Sequence, residues 1–222
     1  MSAKVQRLRV TYARGAPLQY VSHLDMMRFW ERVLRRANAP VSYSEGFTPH
    51  AQIALAAPLS VGMTSRGELL DIFLAEVWPP ERLRAALGTQ LPPGVVIIDV
   101  REAELAEPSL QSQVRAAEYA IALRSDADRA AIAGRLAAFC GAATFPWEHQ
   151  REKETKRYDL RPLVLDLRLE ERPDGPVVVA TLRAEETGTA RPDQVVAALA
   201  LTDDVLHIER LALKLGAPAA RP

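Results

Sequence analysis

The sequence contains a single cysteine, Cys140, among its 222 residues. One cysteine excludes a disulfide within the chain, and it also excludes an iron–sulfur cluster or a cysteine-ligated structural zinc ion held by this chain alone. Cys140 follows the Ala-rich stretch 130–139, whose pattern predicts a helix with this thiol on its apolar side. We therefore expect a buried, unreactive thiol and no cofactor bound by this chain alone.

Long apolar runs and an excess of charge of one sign are also missing. No stretch approaches the roughly 20 apolar residues of a membrane-spanning helix, and the start of the sequence lacks the apolar run of a signal peptide. Lys and Arg number 28, and so do Asp and Glu, so overall charge gives no reason to expect nucleic-acid affinity. We expect a soluble cytoplasmic protein, not bound to membranes, in which any anion-binding surface is local.

Two kinds of catalytic motif are absent as well. The glycines at Gly62 and Gly67 lack the spacing and the following helix of a phosphate-binding loop, which argues against nucleotide hydrolysis and dehydrogenase chemistry. No predicted helix carries two histidines one turn apart, and the sequence has no close acidic triplet. We therefore expect no metal site.

Hydrophobic periodicity and turn residues predict an α+β fold. Strand, helix, strand, strand, helix and strand follow one another between Val5 and Val100, which is the order of the ferredoxin-like, or split βαβ, plan. After a link over residues 104–113 the order recurs, with an extra strand or an extended loop. We therefore predict two tandem ferredoxin-like (βαββαβ) units with antiparallel sheets, over residues 1–104 and 114–216.

The helix predicted to begin near Ser22 is strongly basic. Ser22 is suited to cap the helix, and Asp25, three residues later, favours the positive end of the helix dipole. The predicted buried stripe comprises Leu24, Met27, Trp30, Val33 and Leu34. The rest of the helix surface carries Arg28, Arg32, Arg35 and Arg36. Such a face suits an anionic ligand.

The segment from Tyr43 to His50, which follows this helix, combines aromatic and polar side chains around Gly46. Tyr43 and Phe47 are suited to stacking on an exposed base, while His50 is suited to contacting its phosphate or sugar. The alternative is a loop that Phe47 plugs into the core, with His50 capping the next strand.

Tyr20, His23 and Asp25 lie at the start of the basic helix, and we place Tyr20 and His23 with the predicted ligand-binding residues. The helix dipole disfavours protonated His23, so its imidazole either contacts the ligand or hydrogen-bonds the neighbouring loop. Asp25 either takes part in chemistry or pairs with an arginine such as Arg28. If the chain cleaves RNA, then His23, Asp25 and His50 are its candidate catalytic residues.

A second basic concentration contains Lys156, Arg157 and Arg161. A charge run of this kind is usually a solvated edge, but these residues are also candidates for ligand binding. If Arg157 and Arg161 face Arg32 and Arg36 across a cleft between the units, the two basic patches form one anion-binding channel.

Five motifs, taken in order, resemble the radical-SAM-linked protein family of bacteria. They are Ser22-His-Leu-Asp25, Glu31-Arg-Val-Leu-Arg-Arg36, Tyr43-Ser-Glu-Gly-Phe-Thr-Pro-His50, Pro58-Leu-Ser-Val-Gly62 and Glu68-Leu-Leu-Asp71. The resemblance is dense over Leu8–Leu74 and continues more thinly to Leu163. It implies a partner, because members are encoded beside, or fused behind, a radical S-adenosylmethionine (SAM) protein. That partner would carry the iron–sulfur cluster and S-adenosylmethionine, and the resemblance assigns no catalytic residues to this chain.

Together, the basic helix, the aromatic loop and the implied partner favour a non-redox substrate-binding accessory protein that presents RNA to a radical SAM enzyme. Tandem ferredoxin-like domains also occur in CRISPR repeat-processing endoribonucleases and, in modified form, in tRNA pseudouridine synthases. This architectural likeness adds RNA to the candidate ligands without assigning a function. The alternatives are a metal-independent RNA-processing or RNA-modifying enzyme, and an adaptor that binds only the partner protein.

Overall fold

The computed structural model describes residues 4–151, 154–185 and 187–216. These residues form two compact units: the first runs to Val114 and includes Leu215 and Gly216, and the second spans Arg115–Lys214. Helices and antiparallel strand pairs occur in both units, which confirms the α+β class. None of the described helices is both long and apolar enough to cross a membrane.

The first unit is a four-stranded antiparallel sheet with two main helices. Its elements are β1 (Gln6–Arg14), α1 (His23–Arg36), β2 (Ile53–Leu55), β3 (Thr64–Leu74), α2 (Pro80–Gly88), β4 (Val95–Ala103) and the short helix α3 (Leu110–Gln113). β1 lies between β3 and β4, and β2 pairs with the other edge of β3. The strand order is therefore β4, β1, β3, β2, and β2 is an edge strand.

The second unit combines antiparallel strands with two helices and a separate pair of strands. Its elements are β5 (Val114–Leu123), α4 (Arg129–Gly141), β6 (Pro146–Arg151), β7 (Glu154–Asp159), β8 (Val164–Arg172), β9 (Gly175–Glu185), β10 (Gly188–Thr189), α5 (Pro192–Ala198) and β11 (Val205–Leu215). β5 lies between β11 and β9, β8 pairs with the other edge of β9, and β10 pairs with the end of β9. β6 and β7 form a separate two-stranded sheet, here called the β6–β7 ribbon.

The core of the first unit lies between one face of its sheet and the apolar faces of α1 and α2. Side chains alternate along β1, so Leu8, Val10 and Tyr12 share one face, and all three are buried. The rings of Tyr12 and Trp30 meet edge to face with their centroids 4.8 Å apart. This packing holds α1 against the sheet and leaves its opposite face in solvent.

The buried face of α1 is confirmed at Trp30, Val33 and Leu34. Leu24, which was predicted to be buried, is 68% exposed, and Met26 is buried instead. At 3.6 residues per turn, position 24 lies about 160° around the helix axis from position 26. Leu24 therefore faces solvent because the core contacts the side of α1 that carries Met26.

The other face of the first sheet holds a buried charge cluster, although the alternation of apolar and basic residues over Val5–Ala13 predicts a strand with one solvated face. Arg7 and Arg9 of β1 are each 2% exposed, and both bind Asp71 of β3, which is wholly buried. Their Nε atoms lie 2.8 and 2.7 Å, respectively, from different oxygens of the Asp71 carboxylate. The prediction was wrong because the strand register places a carboxylate directly opposite Arg9, and this pairing allows both guanidinium groups to be buried.

The same arginines fix the segment that follows β4. Arg7 donates to the backbone carbonyls of Glu107 and Pro108 at 2.9 and 3.0 Å, and Arg9 lies 3.3 Å from the Glu107 carboxylate. Burial alone raises the pKa of Glu107, but the backbone N–H of Glu104 and the charges of Arg9 and Arg7 hold that pKa below its ordinary value. The connecting segment is thus anchored to the first unit.

Cys140 is exposed, contrary to the prediction. α4 buries Ile132, Leu136 and Phe139, and Cys140 follows Phe139 in the last turn. The backbone carbonyl of Cys140 accepts a hydrogen bond from Arg161 at 3.0 Å. Phe139 fills the core position at this end of the helix, so the thiol is left on the solvent side.

Candidate functional site

The start of α1 is a capping arrangement. Ser22 Oγ accepts a hydrogen bond from the backbone N–H of Asp25 at 3.2 Å and donates to the Asp25 carboxylate at 2.7 Å, while Arg28 reaches the same carboxylate at 3.1 Å. The hydrogen bond from Ser22, with a smaller effect of Arg28, holds the pKa of Asp25 below its ordinary value. Ser22 therefore caps the helix, Asp25 pairs with Arg28, and the lowered pKa of Asp25 disfavours a role as a general acid or base near neutral pH.

The solvent face of α1 carries a row of arginines, here called the arginine face: Arg28, Arg32, Arg35 and Arg36. All four are exposed, and Arg28, Arg32 and Arg36 recur every four residues, which is a rise of about 6 Å from one to the next. Among the described residues, Arg32, Arg35 and Arg36 have no carboxylate within ion-pair distance. Their charge is consequently available to a ligand.

The Tyr43–His50 segment is an excursion from the edge of the sheet, here called the aromatic loop. Its base is a ladder of backbone hydrogen bonds: Ser42 donates to Phe73 of β3 at 2.8 Å, Phe73 donates to Gln52 at 3.0 Å, and Gln52 donates back to Ser42 at 2.8 Å. Further out, the backbone N–H of Ser44 donates to the His50 carbonyl at 2.9 Å. The His50 N–H donates to Ser44 Oγ at 3.0 Å. The loop is therefore attached to the sheet at its base and closed again near its tip.

The tip of the aromatic loop lies in solvent. Phe47 is fully exposed, and Tyr43 and His50 are also exposed. Gly46 has a φ of +124°, a conformation that a residue with a side chain rarely adopts. The alternative in which Phe47 fills the core is therefore wrong, and the loop presents its aromatic ring outward.

The strand register places the aromatic loop and the last turn of α1 at the same end of the first unit. Leu74 pairs with Gln6 at the start of β1 and also with Val41, which follows α1 closely. α1 returns antiparallel to β1, so its final turn, with Arg35 and Arg36, lies at this end. The fold therefore positions the last turn of α1 and the base of the aromatic loop at one end of the first unit.

Tyr20 and His23 lie at the other end of α1. Tyr20 is 74% exposed and lies three residues before His23, which is the first residue of the helix. α1 has 14 residues and is therefore about 20 Å long. The structure does not join His23 and Asp25 to His50 in one constellation, because the chain positions them at opposite ends of this helix.

The predicted basic residues of the second unit differ in their surroundings. Lys156 and Arg157 are exposed on β7, where Arg157 pairs with Glu148 of β6 at 2.7 Å. Arg161 is partly buried and donates to the carbonyls of Cys140 and Val164 at 3.0 and 2.9 Å. The donors of Arg161 thus hold its own unit together, so we remove it from the candidate ligand contacts.

Other concave surfaces of the first unit lie away from the aromatic loop. One cavity of about 410 Å³ is lined by both signs of charge, including Arg9, Arg101 and Glu107. Arg9 is already bound to Asp71 and Glu107 there. Within the part of the chain that the structure describes, no group of three or more His, Cys, Asp or Glu side chains is arranged to hold a metal ion.

Comparison with protein families finds one described as "Uncharacterized protein conserved in bacteria (DUF2344)", whose model matches residues 7–192. Comparison with curated proteins finds no match. Among solved structures, the chain is similar to one described as "Crystal Structure of a Cbf5-Nop10-Gar1 Complex", with a TM-score of 0.49 and 10% sequence identity. That similarity covers 95% of this chain and 49% of the other chain, and at this score it has no bearing on function.

Proposed function

The chain belongs to the bacterial DUF2344 family, and we propose that it is a non-redox, RNA-binding accessory protein that acts with a radical SAM enzyme. The observation that carries this proposal is the arginine face of α1. Arg32, Arg35 and Arg36 are exposed and have no ion-pair partner among the described residues, and the helix ends at the same end of the first unit as the exposed aromatic loop. Guanidinium groups that recur along one line match the repeated negative charge of a phosphate backbone.

The strand orders support two tandem ferredoxin-like units. In each unit the order is fourth, first, third and second strand, which is the order that two βαβ crossovers in one antiparallel sheet produce. Each unit also carries an insertion between its first helix and its second strand: the aromatic loop in the first and the β6–β7 ribbon in the second. Lys156 and Arg157 lie on that ribbon, and we include them as further phosphate contacts.

The partner is proposed from the resemblance to the radical-SAM-linked family. A chain with one cysteine cannot ligate an iron–sulfur cluster by itself, so the partner supplies the cluster, S-adenosylmethionine and the chemistry. An accessory role also fits Asp25, whose carboxylate is engaged by Ser22 and Arg28. We therefore assign substrate binding to this chain.

RNA binding is tested by a titration of the purified protein with total cellular tRNA, followed by mobility shift at several salt concentrations. The double variant Arg32→Glu, Arg36→Glu is expected to weaken binding, and the dependence of log K on log salt is expected to fall by about 1.4 if each residue contacts one phosphate of a single strand. The double variant Arg82→Glu, Arg84→Glu is the control, because it makes the same change in charge at two exposed sites on α2. Equal losses in both double variants, or an unchanged salt dependence in the Arg32→Glu, Arg36→Glu variant, would contradict the proposal.

The partner is tested separately by co-expression of this chain with a radical SAM protein of the kind that the resemblance implies. We expect the two proteins to co-purify after nuclease treatment. Failure of co-purification with and without RNA would exclude the accessory role but would leave RNA binding in place.

A further inference from the structure

We propose that the aromatic loop selects RNA with unpaired nucleotides, by stacking the ring of Phe47 on an exposed base. This inference rests on the proposed RNA binding and adds the class of RNA. The arginine face contacts phosphates, which single-stranded and double-stranded RNA both possess. Phe47 contacts the face of a base, which only an unstacked nucleotide presents.

The exposure of Phe47 is the first observation. A phenylalanine side chain that stays in water forgoes the stabilisation that burial would provide, so Phe47 contributes little to the folded state. Ala51 and Ile53, which follow the loop, pack against the hydrophobic core of the first unit. The ring of Phe47, in contrast, lies in solvent.

The second observation is that hydrogen bonds constrain the loop at its base and near its tip. The Ser42, Phe73 and Gln52 ladder fixes its base, and the paired hydrogen bonds between Ser44 and His50 close it below the tip. Pro49 restricts the backbone on the return side of the tip. A preformed loop loses little conformational freedom when the ring stacks, which favours binding.

Charge near the loop favours a nucleic acid over a protein partner. The last turn of α1, with Arg35 and Arg36, lies at the same end of the unit and has no carboxylate partner among the described residues. Glu45 is an exposed acid beside Gly46 on the loop itself, where it repels a phosphate. The ring of Phe47 is therefore suited to the base, while the phosphates lie toward α1.

The substrate class is tested by fluorescence anisotropy with two labelled RNAs of equal length: an unstructured strand of mixed sequence and the blunt duplex that it forms with its complement. Phe47→Ala is expected to weaken binding of the single strand by about 5- to 150-fold and to change duplex binding by less than about twofold. Phe47→Trp is expected to retain single-strand binding. Thr48→Ala, an exposed non-aromatic change in the same loop, is the matched control and is expected to leave both affinities unchanged.

The outcomes separate this inference from the proposed function. If the wild-type protein binds neither RNA, the proposed function fails and this inference fails with it. If Phe47→Ala leaves single-strand binding unchanged, or weakens both RNAs equally, RNA binding stands and the stacking role is overturned. If Phe47→Ala abolishes co-purification of the radical SAM protein and spares RNA binding, the loop is a protein-docking element and the inference is again overturned.

Discussion

Replacing Asp71 by asparagine is expected to destabilise the first unit strongly. Asp71 is wholly buried on β3 and accepts hydrogen bonds from both Arg7 and Arg9. Asparagine has nearly the same shape as aspartate, so the substitution removes the charge and leaves the packing volume unchanged. Two buried guanidinium groups then face a neutral amide.

The expected loss follows from the burial and the partners of the cluster. Removal of one partner from a buried ion pair costs about 3–5 kcal/mol, because the remaining charge is left uncompensated. Glu107 lies 3.3 Å from Arg9 and offsets part of that charge, but its side chain is 29% exposed. We therefore expect a loss of about 3 kcal/mol, which lowers the Tm by about 6–12 °C in a chain of this size.

The assay must report on the first unit by itself. Trp30 and Trp78 belong to the first unit and Trp147 to the second, so urea unfolding followed by fluorescence in a Trp147→Phe background isolates the relevant transition. Asp99→Asn is the control, because Asp99 is an exposed carboxylate on β4 of the same sheet, and we expect a change within about 0.5 kcal/mol. A destabilisation by Asp71→Asn no larger than that of Asp99→Asn would refute the role assigned to the buried carboxylate.

Three further predictions test the local geometry. Ser22→Ala removes the hydroxyl that accepts a hydrogen bond from the Asp25 N–H, and we expect it to lower the free energy of unfolding, measured with urea, by about 1 kcal/mol. Ser22→Thr should largely retain the wild-type stability. An unchanged stability of Ser22→Ala would contradict the capping role. Because the pKa of Glu107 is lowered in the folded state, its ionised carboxylate stabilises that state at pH values above the ordinary glutamate pKa, and this stabilisation is lost as the pH falls through the lower pKa of the folded state. Glu107→Gln should therefore reduce the decrease in the urea midpoint below about pH 4. An unchanged dependence of the midpoint on acid pH would count against this role of Glu107. Cys140 is exposed, so a maleimide should label it in the native protein; labelling that requires denaturant would show a buried thiol.

Features set by neighbouring residues could be predicted from the sequence. The cap at Ser22, the arginines of α1 and the order of strands and helices depend on spacing, turn residues and capping within a few positions. The β6–β7 ribbon could not be predicted in this form, because two short strands have weak apolar alternation.

Features that depend on strand pairing could not be predicted in this way. Arg7 and Arg9 alternate with apolar residues, which is the pattern of a strand with one solvated face, yet both are buried. One signal was present: Asp71 interrupts an apolar strand, and an isolated carboxylate there requires a buried cation. This signal identifies Arg7 and Arg9 as the partners of Asp71 only when the pairing register of β1 and β3 is known, and residue spacing along the sequence does not give that register.

The sequence by itself determined which segments become helices and strands and which side chains can carry positive charge, because these properties arise from each residue and its immediate neighbours. Only the tertiary structure decided that Phe47 points into solvent, that Leu24 does so as well, and that Arg36 and the aromatic loop share one end of the first unit. It also decided that Arg7 is neutralised by a carboxylate 64 positions away. Burial and proximity of this kind depend on contacts between distant parts of the chain, and the folded sheet is what brings those parts together.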